Sequence, residues 1–119
     1  MRLMSDIRAI YERIGADFDD VASRLGSSAL VERFAGKFVQ DDSFSQLEDA
    51  LAARDAKAAF RAAHTLKGVA LNLGLSNLAS PAAELAEALR PCVLEGVDVE
   101  PLMEALRKAY NETVEALGK

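Results

Sequence analysis

Apolar side chains recur at spacings of three and four along almost the whole chain. Nowhere do they alternate with period two for long enough to make a confident strand. The runs are punctuated by residues that start and stop helices. Ser5 and Asp6 can cap a short helix whose Ile7, Ile10, Tyr11 and Ile14 share one stripe, and Gly15 can end it. Asp17 can cap a second, with Phe18, Val21, Ala22 and Leu25 apolar and Gly26 as its stop. Ser27 or Ser28 opens a third, carrying Leu30, Phe34 and Phe38 at spacing four. Asp41-Asp42-Ser43 breaks or bends the chain, and Ser43 with Gln46 fits a capping box for a helix holding Phe44, Leu47, Ala50 and Leu51. Asp55 starts a longer helix that should run to about Leu73, with Gly74 as its C′ residue. A return helix holds Leu75, Leu78, Ala82, Leu85, Ala86 and Leu89, closed by Pro91. Pro81 should kink it unless it falls in the first turn. After Glu95-Gly96-Val97, Asp98 caps the last helix. Pro101 is tolerated at its start, and Leu102, Leu106, Ala109, Tyr110, Thr113 and Leu117 lie on one face.

Short connections make sequential helices antiparallel neighbours. The expected fold is therefore all-α: an up-and-down antiparallel four-helix bundle with one or two short N-terminal helices, forming a single domain over residues 1–119. Half the residues are hydrophobic and 28% are charged, the balance of a globular chain rather than a disordered one. A net charge of −5 points away from a nucleic-acid binder, which would show a basic excess. No apolar run has the length of a membrane helix, and the first residues lack the apolar core of a signal peptide, so no membrane contact and a cytoplasmic location are expected. Cys92 is the only cysteine, which leaves no intrachain disulfide and no cysteine zinc site.

The only histidine, His64, lies inside the long alanine-rich helix, in Ala63-His64-Thr65-Leu66-Lys67-Gly68. At about 100° per residue, Lys57, Phe60, Arg61, Lys67, Gly68 and Leu71 fall within roughly 60° of it. Ala59, Ala62, Leu66, Ala70 and Leu73 point the other way and suit a core. His64 is thus expected on the outward face. That face is basic in an acidic protein, bears two large apolar residues, and contains a glycine in a helix interior. Such a glycine costs about 1 kcal/mol relative to alanine, and close approach by another group is the obvious reason for it.

These residue types suit phosphoryl transfer. A solvent-facing imidazole is largely neutral at pH 7 and can act as a nucleophile. Lys67, one turn on, can meet the added negative charge, and Gly68 leaves room for a donor's active-site loop. No glycine-rich phosphate loop is present, and no carboxylate cluster shares this face, so a partner is expected to supply metal and catalysis.

The spacing H-x-x-K-G arises by chance in a chain of this length on the order of 1% of the time. The stretch Ala62-Ala63-His64-Thr65-Leu66-Lys67-Gly68-Val69-Ala70-Leu71-Asn72-Leu73-Gly74 resembles the signature of histidine phosphotransfer (HPt) domains of two-component phosphorelays. The order of the surrounding helices is similar too, the first 25 residues being least distinctive. The resemblance implies a helical bundle with His64 phosphorylated, usually at Nε2, Lys67 contacting the phosphoryl group and Gly68 as the small neighbour. It implies a phosphocarrier that hydrolyses no ATP. Its partners would be receiver domains of response regulators and hybrid sensor kinases, each with Mg²⁺ in its own acidic pocket. No cofactor is expected on this chain, and a monomer is expected. Lys57, Phe60, Arg61 and Leu71 would then be docking residues, the cations steering an acidic partner and the apolar pair supplying dry contact. The rival reading is a helical adaptor that docks receiver or kinase domains without being phosphorylated. A metal or catalytic site built on His64 is opposed by the lack of a second histidine and of an acidic residue three or four positions away.

Overall fold

A computed structural model describes residues 6–118, so Ser5, one of the two candidate caps of the first helix, lies outside the described residues. Among the described residues there are seven helices and no strand: α1 Asp6–Arg13, α2 Phe18–Leu25, α3 Ser28–Phe38, α4 Ser43–Ala52, α5 Ala56–Asn72, α6 Ser76–Leu89 and α7 Glu100–Gly118. The expected caps form at three starts. Asp17 accepts from the Asp20 amide at 3.0 Å, Ser27 Oγ from Leu30 at 3.2 Å, and Asp55 from Ala58 at 3.1 Å. The capping box expected at Ser43 does not form. Ser43 is already helical and buried, and its amide donates to Asp41 Oδ1 at 2.9 Å instead.

The fold is the expected all-α bundle. α5 packs most extensively against α6 and α4, and α6 against α7. α1 and α2 are the two short N-terminal helices. α3 is separated from α4 at Asp41–Asp42, where the sequence reads a break. Both helices close on one aromatic cluster: Phe44 stacks on Tyr110 of α7 at 4.2 Å, and Phe38 meets the same ring edge-on at 6.0 Å.

The buried stripes follow the sequence closely in α1, α4, α5, α6 and α7. α3 differs. Its buried face is Val31, Ala35 and Phe38, whereas Phe34 is 37% exposed and Leu30 only half-buried. The spacing-four row drifts around the helix, because four residues overshoot one turn of 3.6. Pro81 falls beyond the first turn: it stands in the second turn of α6, and the helix runs on to Leu89. Proline has no amide hydrogen, so the Asn77 carbonyl receives no bond from it. The Asn77 side chain donates to Thr113 Oγ1 of α7 at 2.9 Å.

The α5–α6 turn determines where His64 stands. The amides of Gly74 and Leu75 reach back to the carbonyls of Leu71 and Ala70, at 3.2 and 2.9 Å, which is a Schellman closure. Gly74 has φ +67°, and a Cβ there would lie 2.7 Å from the Asp17 carbonyl oxygen and 2.9 Å from Val21 Cβ. Only glycine satisfies both conditions. α1 and α2 grip this turn through its backbone. Tyr11 donates its hydroxyl to the Leu73 carbonyl at 2.6 Å, the Asp17 amide donates to Gly74 at 2.8 Å, and Arg24 donates to the carbonyls of Leu71 and Asn72, each at 3.0 Å. Burial pushes the Tyr11 phenol well above its ordinary range, partly offset by the Arg24 charge, so it stays a donor.

Candidate functional site

α5 is a helix because eleven of its residues are alanine, leucine or other strong helix formers, started by the Asp55 cap and stopped at Gly74. His64 is the ninth of its seventeen residues, midway along it. α4 and α6 cover the side bearing Ala59, Ala62, Ala63, Leu66 and Ala70, all buried. The opposite side faces solvent, and His64 is exposed there. Neither ring nitrogen has a hydrogen-bond partner among the described residues.

One turn on, Lys67 is half-buried. A Cβ built on Gly68 would meet nothing within 4 Å. No contact within the described chain therefore explains the glycine; open space lies beside the imidazole. Lys57 and Arg61 are exposed, and neither these two nor Lys67 forms an ion pair with a described residue. Leu71 is 56% exposed and Phe60 is half-buried against the core. All seven residues singled out from the sequence thus lie along one side of α5.

Helical bookkeeping missed one neighbour. Arg90, at the C-terminus of α6, places its guanidinium carbon 5.8 Å from the centre of the Phe60 ring, while its Nε donates to Glu87 at 2.9 Å. The Phe60 ring in turn stacks on the His64 imidazole, centres 5.8 Å apart and planes 29° from parallel. A signal was available. Antiparallel helices joined at Gly74 bring residues at equal distances before and after it together, which points from Phe60 to the last turn of α6.

Two grooves flank this side. Between α5 and α6 a groove of about 320 Å³ is lined by Lys67, Ala70, Leu71, Ala79, Ser80 and Ala83, among others. On the other flank a larger groove of about 490 Å³ lies among α2, α3 and the end of α5, with Leu25, Phe34, Lys37, Val69 and Asn72 on its walls. No group of three or more His, Cys, Asp or Glu among the described residues is placed to hold a metal ion, and no helix of the described chain is long and apolar enough to cross a membrane.

An exposed nucleophilic ring, a cation one turn away and an unfilled position beside it suit acceptance of an anionic group delivered by another molecule. The family model of the Hpt domain matches residues 39–116, which takes in all of α4, α5 and α6 and nearly all of α7. No curated protein and no solved structure matches the chain. With well over half of its length matched, and with a helical bundle presenting a histidine, the chain belongs to the Hpt domain family, the histidine phosphotransfer domains that carry phosphoryl groups in phosphorelays.

Proposed function

We propose that this chain is a phosphorelay intermediate whose His64 accepts a phosphoryl group from a receiver aspartate, or from a hybrid sensor kinase, and passes it to a response regulator. The observation that carries this is the pairing of an exposed imidazole, without a hydrogen-bond partner among the described residues, with open space at Gly68. The ring nitrogen attacks phosphorus in line. An N–P bond forms as the acyl-phosphate P–O bond breaks, and the partner's aspartate is released as carboxylate. Lys67 meets the charge that arrives with the phosphoryl group. The Mg²⁺ that organises the reaction belongs to the receiver, and this chain supplies nucleophile, cation and access.

Lys57 and Arg61 steer an acidic partner, and Leu71 supplies apolar contact. The protein acts as a monomer, in the cytoplasm where receivers work, through a small transient interface. The test is transfer of ³²P from a purified phosphorylated receiver. Wild type should gain acid-labile, base-stable label and His64→Gln none; equal label on both would overturn the assignment.

A further inference from the structure

We propose that Phe60 is a positioning residue for His64 and that Arg90 holds it in place, a role that rests on His64 being the phosphoryl acceptor. An imidazole without hydrogen-bond partners has a broad, two-fold χ2 preference, so nothing polar in the described chain sets its plane. The Phe60 ring is the neighbour that bears on it, centres 5.8 Å apart and planes 29° from parallel, one of the arrangements that aromatic rings favour. The stack biases the plane in which the lone pair lies, and a half turn within that plane exchanges Nε2 with Cε1 on the outer edge of the ring.

Phe60 is itself constrained. It packs partly against the core, and Arg90 sits within cation–π range of it. The guanidinium also pairs with Glu87, one helical turn earlier on α6, at the exposed surface. Glu87, Arg90, Phe60 and His64 form a row that crosses from one helix to its neighbour. Phe60 is half-buried, with part of its ring engaged by His64, Arg90 and the core. That contact gives it a contribution to the transfer step beyond docking.

The test compares Phe60→Leu, which keeps an apolar side chain but removes the flat face, with Phe60→Tyr, which restores it. Single-turnover transfer from a phosphorylated receiver is measured as receiver concentration rises, separating the saturating rate from half-saturation. ¹H NMR of the His64 Hδ2 and Hε1 reports the stack through its ring-current shift. Phe60→Leu should slow the saturating rate about ten- to a hundredfold, because in-line attack tolerates little misplacement. It should leave half-saturation within about twofold and lose the ring-current shift. Phe60→Tyr should restore both, and Arg90→Gln should fall between. If wild type takes label and Phe60→Leu matches its saturating rate, or loses affinity alone, the positioning role is overturned. If wild type takes no label, the acceptor assignment fails first and this role falls with it.

Discussion

Gly68 costs α5 about 1 kcal/mol relative to alanine, and no packing within the described chain offsets that cost. A position that is poor for stability and open to solvent marks access as its role. We predict that Gly68→Gln stabilises the fold by about 0.5–1 kcal/mol, seen as a rise in Tm of about 3–5 °C. The same variant should lose phosphoryl transfer by tenfold or more, because the new side chain occupies the approach to His64. A higher Tm with an unchanged transfer rate would reject the steric argument. This site was legible because α5 is regular: once a helix is read, the angle of every side chain follows from its number. Arg90 was not legible the same way, since its proximity to Phe60 depends on how two helices pair.

The elements were readable wherever their ends carry local chemistry. Asp17, Ser27 and Asp55 cap as their sequence suggests, because a side-chain oxygen that satisfies an orphan amide needs no tertiary help. α4 departs because the Asp41 carboxylate reaches the Ser43 amide first and the Ser43 side chain is buried. Phe34 departs because its exposure depends on which neighbours α3 meets, α1, α2 and α7, and no spacing within α3 encodes that. The α4–α5 turn contains a correctable strain. Arg54 adopts φ +56° at the C′ position of a Schellman closure, with the amides of Arg54 and Asp55 reaching the carbonyls of Leu51 and Ala50 at 3.0 and 2.8 Å. A side chain in this region costs about 1–2 kcal/mol, and glycine's greater freedom in the unfolded chain removes part of the gain. We predict that Arg54→Gly stabilises the protein by about 0.5–1 kcal/mol, read as a higher urea midpoint with an unchanged m-value. A lower midpoint would mean that the exposed guanidinium stabilises the fold more than its backbone strains it.

At the scale of the molecule, charge and shape act together. The chain carries a net charge of −5, yet Lys57, Arg61, Lys67 and Arg90 gather on the side that bears His64. Glu100, Glu104, Glu112 and Glu115 lie on α7, which packs behind α6 and α3 rather than on that side. The molecule extends 47 × 25 × 19 Å, so its ends lie several screening lengths apart at physiological salt. At about 0.01 M salt the screening length is about 30 Å, and an acidic receiver feels the whole anionic chain. At about 0.15 M it is about 8 Å, and the approaching receiver feels mainly the local cations. Near 1 M it feels neither. We therefore predict that the association rate with a receiver, measured by stopped flow, rises from low salt to a maximum and then falls. The double variant Lys57→Glu with Arg61→Glu should lose the maximum and rise steadily with salt, while keeping wild-type circular dichroism, since both side chains are exposed. A wild-type rate that falls continuously from the lowest salt would show that the local cations outweigh the net charge at every distance.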